Sequence, residues 1–144
     1  MLNRRRMVAG LAALGAGLAK PALAFPQYRW QNRVLVLQVR NLNQLVLSQQ
    51  KTALRADRDG LAIRDMAVFA MTADAVAPVF GPAPDLAETS VVGRLPEGMD
   101  FRATLIGKDG GVKARWDEPV SLNELYAVID VMPMRRREMR ERGG

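Results

Sequence analysis

The chain contains no cysteine and no histidine. Without a thiol, no thiolate can attack a disulfide or a peroxide. Without imidazole, the side chain that titrates nearest neutral pH is missing. Thiol–disulfide exchange, zinc sites of the usual kind and imidazole acid–base catalysis are therefore excluded together. Pure protein is expected to give no turnover in insulin-reduction or thiol-peroxidase assays, and turnover in either would require a different mechanism. Serine is scarce as well, with only Ser48, Ser90 and Ser121. None lies in a Gly-x-Ser-x-Gly turn, and no glycine-rich phosphate loop is present. A nucleophilic serine needs a base beside it, and the commonest base is absent. Asp57-x-Asp59-Gly60 has a distant likeness to a calcium loop. It lacks the third ligand position and the closing glutamate, so it reads as a helix terminus with solvated acids. No residue pattern implies a cofactor or a metal.

Long apolar runs are also missing. A membrane-spanning helix needs about 20 apolar residues, and the stretch from Met7 to Leu18 is cut short by Lys20-Pro21. What stands there instead is an export pattern: basic Arg4-Arg5-Arg6, then a Gly- and Ala-rich apolar stretch, then small residues at Ala22 and Ala24. These features predict a cleavable signal peptide over residues 1–24, a mature chain starting at Phe25, and a periplasmic or secreted protein without a transmembrane segment. Arg4-Arg5 also resembles the twin-arginine pattern. An ordinary secretory signal with a basic start fits the same residues.

The composition of the 144 residues, 49% hydrophobic and 25% charged, is that of an ordinary globular domain. The net charge of +6 is unevenly placed. Four of the 21 basic residues lie in residues 1–24, which hold no acid, leaving 17 against 15. Residues 135–144 carry Arg135, Arg136, Arg137, Arg140 and Arg142 against Glu138 and Glu141. The remaining body is close to neutral, so no nucleic-acid surface is expected, whereas a short basic tail is. That tail is a candidate contact for an envelope protein or an anionic surface. The half-apolar interleaving of Met132, Met134 and Met139 adds to the case. Pro133 is expected to separate the tail from the last helix, so that deleting residues 135–144 would leave the fold nearly intact. A solvated, fraying end fits the same residues, and so does folding back onto the core with internal ion pairs.

Apolar periodicity supplies the architecture. Residues 33–39 form a short apolar run of the kind that makes a central strand buried on both faces. A helix follows, with Asn41 or Asn43 as its cap, and Asp57-Arg58-Asp59-Gly60 stops it. Residues 66–71 form a second strand, completing a βαβ unit. Residues 74–100, with four prolines and three glycines, read as a long irregular connection that could cover a cleft. Two strand-like runs then flank Lys108-Asp109-Gly110-Gly111, which marks a hairpin whose turn needs positive φ. Lys108, Asp109, Gly110 and Lys113 are a candidate anion site, with a plain solvated turn as the alternative. Ser121 and Glu124 form a candidate capping box for a last helix.

The order βαβ, hairpin, helix matches the thioredoxin-like fold. It predicts a four-stranded mixed sheet with helices on both faces over residues 25–134. The stretch after the first strand, where thioredoxins keep their reactive cysteine, is Arg40-Asn41-Leu42-Asn43-Gln44. Four segments carry a closer likeness: Trp30 with Asn32-Arg33-Val34-Leu35; Arg64-Asp65-Met66; the run from Leu105 to Lys113; and the run from Ile129 to Arg135. In these residues the chain resembles the domain-of-unknown-function family 4174, a peroxiredoxin-like group also found in some animal extracellular matrix proteins. The resemblance implies a thioredoxin-like fold without redox cysteines and no established activity. The function expected from this is a non-catalytic binding module of the bacterial cell envelope. The alternative is a cysteine-independent enzyme using carboxylates or lysines in a cleft covered by residues 74–100.

Overall fold

The computed structural model describes residues 25–142; the export pattern of residues 1–24 lies outside them. Five strands form one mixed sheet: β1 (Arg33–Val39), β2 (Met66–Met71), β3 (Val76–Phe80), β4 (Phe101–Ile106) and β5 (Val112–Trp116), in the order β3-β2-β1-β4-β5. β1 and β2 pair in parallel, and every other pair is antiparallel. Every residue of β1 and β2 is buried, as their mostly apolar runs lead one to expect, and this includes the polar Arg33 and Gln38 of β1.

The expectation of four strands is corrected to five. The extra strand, β3, lies inside the stretch that reads as irregular connection. Its middle residue is Pro78, which has no N–H to give a ladder and so argues against a strand. At the sheet edge only one side of the strand is paired, and proline is tolerated there. A 3-10 segment, Leu86–Val92, follows before β4.

The described residues also form four α-helices: α1 (Leu45–Arg55), α2 (Arg58–Ile63), α3 (Leu122–Ile129) and α4 (Pro133–Glu141). The expectation of helices on both faces is also corrected. Leu47 and Leu54 of α1, Leu61 of α2, and Leu125 and Ile129 of α3 share one core cluster with Leu35, Leu37, Val68, Leu105 and Trp116. The opposite face buries Val34, Val36, Phe69 and Ile106 beneath Phe25, Tyr28 and Val92, which come from 3-10 turns and their flanks.

Two local expectations shift. Asn41 and Asn43 do not cap α1. Asn41 Oδ1 accepts the Asn43 N–H at 2.9 Å, and Gln44 Oε1 accepts the N–H groups of Arg40 and Asn41. The asparagine thus builds the turn ahead of the helix, a competing use of a short amide. Asp57 starts a helix instead of ending one. Its carboxylate accepts the Gly60 N–H at 3.0 Å, and Tyr126 Oη donates to its other oxygen at 3.0 Å. Gly60 leaves room for both, because a Cβ there would collide with Asp57 Oδ2 and Tyr126 Oη.

Two other expectations are met. Ser121 Oγ accepts the Glu124 N–H at 3.1 Å while Glu124 Oε1 accepts the Ser121 N–H at 3.2 Å, closing the capping box of α3. In the hairpin, Gly107 O accepts the Gly110 N–H and Gly111 O accepts the Gly107 N–H, both at 2.9 Å. Gly110 sits at φ +89°, where a Cβ is strained. Gly110→Val is expected to cost about 1–2 kcal/mol. An unchanged melting temperature would mean that the turn relaxes to another type.

Candidate functional site

The two candidate sites of the sequence lie close together, and the structure connects them in a way that neither pattern suggests. Lys108 is only 8% exposed, and its Nζ donates to Asp65 Oδ2 and to Glu138 Oε2, each at 2.7 Å. Lys113 pairs instead with Asp109 at 2.9 Å, and Asp109 also accepts the Gly111 N–H at 2.9 Å. Burial works against the charge of Asp109, but the Gly111 N–H and Lys113 outweigh it and hold the carboxyl below its usual range. The two lysines do not converge on a shared anion site. Each faces a carboxylate of the protein itself.

The basic tail is a helix with two different faces. Arg135, 4% exposed, reaches Asp130 Oδ1 at 3.3 Å and Ile63 O at 3.1 Å. Glu138 accepts from Arg33 through both oxygens at 3.3 Å, in addition to Lys108. Arg142 donates to Ile63 O at 2.6 Å. α4 is thereby bound to the N-terminal ends of β1 and β2, so the expected separation of the tail from the core at Pro133 is corrected. Arg136, Arg137 and Arg140 are exposed and have no ion-pair partner among the described residues.

Around this helix a network gathers the residues that carry the family likeness. Arg33, 1% exposed, also donates to Arg64 O at 3.0 Å. Arg64 forks onto Asp130 at 2.9 and 3.0 Å and lies 3.5 Å above the Tyr126 ring centre. Burial, followed by the Asp57 hydrogen bond and charge, pushes the Tyr126 phenol up to about 12. For Glu138, burial opposes ionisation, but the hydrogen bonds from Lys108 and Arg33 prevail and keep its pKa below the ordinary value. Asp130 is lowered in the same way, against burial, by Arg64 and then Arg135. Asp65, Asp130 and Glu138 are each engaged by cations of the protein, an arrangement that locks elements together. Among the described residues no group of three or more acids could hold a metal ion.

A second feature lies at the opposite end of the parallel pair. A cleft of about 1110 Å³ opens beyond the C-terminal ends of β1 and β2, with the segment 86–98 as its other wall. Gln38, buried, anchors that wall by donating to Gly93 O at 3.0 Å, and exposed Arg40 donates to Met99 O and Pro96 O. Open α/β sheets hold ligands at this end of their strands. Of the lining residues Glu97 alone carries a carboxylate, and no lysine is present. Within residues 74–100 the segment 86–98 walls the cleft, and the hydroxyls of its Thr89 and Ser90 donate to the carbonyls of Leu86 and Ala87. The sequence clue to the cleft is the length of that connection; Gln38 and Arg94 stand out in no motif.

A protein-family model described as Domain of unknown function (DUF4174) matches residues 24–138. No curated protein and no solved structure matches the chain.

Proposed function

The chain belongs to the DUF4174 family, and from that premise we propose that it is a redox-inactive, thioredoxin-like binding module of the bacterial cell envelope that docks on an anionic surface through α4. The strand order supports the fold: β2-β1-β4-β5 is the βαβ-plus-hairpin order, with β3 added outside β2. Export rests on the pattern of residues 1–24.

The observation that carries the docking role is the division of α4. Arg135 and Glu138 turn inward and fix the helix, which leaves Arg136, Arg137 and Arg140 exposed on a rigid support. The helix backbone beneath them is already ordered, and each basic residue near an anionic bilayer contributes about 1 kcal/mol. Half-buried Met134 and Met139 lie on the same helix. No helix among the described residues is long and apolar enough to cross a membrane. A peripheral contact therefore suits the geometry.

The test uses the chain starting at Phe25 and vesicles of phosphatidylglycerol or phosphatidylcholine. Changing Arg136, Arg137 and Arg140 together to glutamine should weaken binding to the anionic vesicles on the order of 100-fold, with the melting temperature unchanged. Binding of the parent should fall as salt rises, because exposed charges are screened over ~8 Å at physiological ionic strength. Equal binding to both vesicle types, or no loss in the triple variant, would refute the role of α4.

A further inference from the structure

We propose that the sheet face opposite the helices carries an oxyanion site between Arg102 and Arg115, suited to a phosphate-type dianion, either free or borne as a monoester on a small molecule. Neither arginine lines the cleft, and neither belongs to α4, so the site is independent of the function proposed above.

Strand register places the two groups together. Thr104 stands directly across from Val36 on one side and from Arg115 on the other, and Arg102 stands across from Gln38. Directly opposed residues share a face, as do alternate residues on one strand. Val36 belongs to the cluster on the face without α-helices, so Arg102, Thr104 and Arg115 all lie on that face. The 3-10 cover packs on Val34, Val36, Phe69 and Ile106, and both arginines keep partial exposure beyond it.

Charge on this face is unbalanced. Arg102 Nε pairs with Asp117 at 3.2 Å, and that carboxylate is 45% exposed. The Arg115 guanidinium has no hydrogen bond or ion pair among the described residues. Burial, and after it the charge of Arg102, lowers its pKa, with Asp117 opposing. The two cations therefore feel each other. A third guanidinium is close by: Arg40 donates to Met99 O at 2.8 Å, and Arg102 Nη2 touches Met99 Sδ at 3.7 Å. The hydroxyl of buried Thr104 also has no partner. This face carries a surplus of donors and of positive charge that a dianion would satisfy. The planar guanidinium fork matches phosphate oxygens in a way that an ammonium does not.

The experiment titrates the full chain with inorganic phosphate and with phenyl phosphate at constant ionic strength, followed by calorimetry and by backbone amide shifts. One saturable site is expected, with shifts confined to β4 and β5. Arg115→Gln and Arg102→Gln should each weaken it on the order of tenfold. Arg115→Lys should recover only part of the loss, and Asp117→Asn should strengthen binding by removing the competing carboxylate. The variant with Arg136, Arg137 and Arg140 changed to glutamine should bind both probes as the parent does. Tighter binding of phenyl phosphate would assign the site to monoesters, and preference for inorganic phosphate to the free ion. The absence of saturable binding would overturn the proposal. So would equal affinity in Arg115→Gln or Arg102→Gln variants with parental melting temperatures, or a loss produced only by the α4 variant.

Discussion

Replacing Glu138 with alanine is expected to destabilise the protein by about 3 kcal/mol, the magnitude found when one partner of a buried ion pair is removed. Glu138 is 15% exposed and answers Arg33 and Lys108, which are 1% and 8% exposed. Without it, Arg33 loses its carboxylate and Lys108 keeps only Asp65, and both cations are largely buried. Deleting residues 135–144 should cost at least as much, because it also removes Arg135 from Asp130 and Ile63. Thermal unfolding of both variants checks this, and melting within a degree or two of the parent would show that α4 contributes little. Acid provides a second measurement on the same residue. In the unfolded chain Glu138 titrates near 4.5, and in the folded chain lower. The folded state thus binds fewer protons in that interval. The stabilisation is complete above about pH 4.5 and is lost as pH falls through the folded value. Asp130 and Asp109, which are also lowered, act in the same direction. Stability should decline below about pH 4.5, and Glu138→Gln should be less stable at neutral pH but decline less steeply.

Gln50→Leu is the other substitution with a large expected effect, again about 3 kcal/mol. Gln50 is fully buried in α1. Its Nε2 donates to Val120 O at 2.9 Å, and its Oε1 accepts the Val120 N–H at 2.8 Å. One amide side chain thus satisfies both backbone groups of a buried residue 70 positions away, just before the capping box of α3. Leucine fills similar space but leaves a buried N–H and a buried C=O unpaired, each worth roughly 1–3 kcal/mol. Urea unfolding should show a lower midpoint with an unchanged denaturant slope. A midpoint equal to that of the parent would mean that water or a neighbouring group replaces the amide.

Much of the fold was legible because local chemistry decides it. The apolar runs of β1 and β2 read as central strands, Asp-Gly sets the hairpin, and Ser121 with Glu124 begins α3. Elements that depend on a neighbour were not legible. β3 is a strand only because the edge of β2 is open to it and Pro78 needs no inner donor. Asp57 begins a helix only because Tyr126 and Gly60 meet it.

The candidate site divides along the same line. Sequence alone determined that no thiol or imidazole chemistry is available, since absent groups cannot be supplied by folding. It also set the five arginines at the end of the chain apart from a near-neutral body. Only the tertiary structure decided which of those charges are free. Lys108, at the hairpin, and Arg135, in the tail, look equally solvated in one dimension, yet Lys108 is buried against Asp65 and Glu138 and Arg135 against Asp130 and the distant Ile63 carbonyl, while Arg136, Arg137 and Arg140 face outward. The physical reason is range. A thiol's absence is a property of the chain itself, whereas the partner of a charge depends on which strand ends converge, and that follows from the crossover of β1 and β2 and the return of α4.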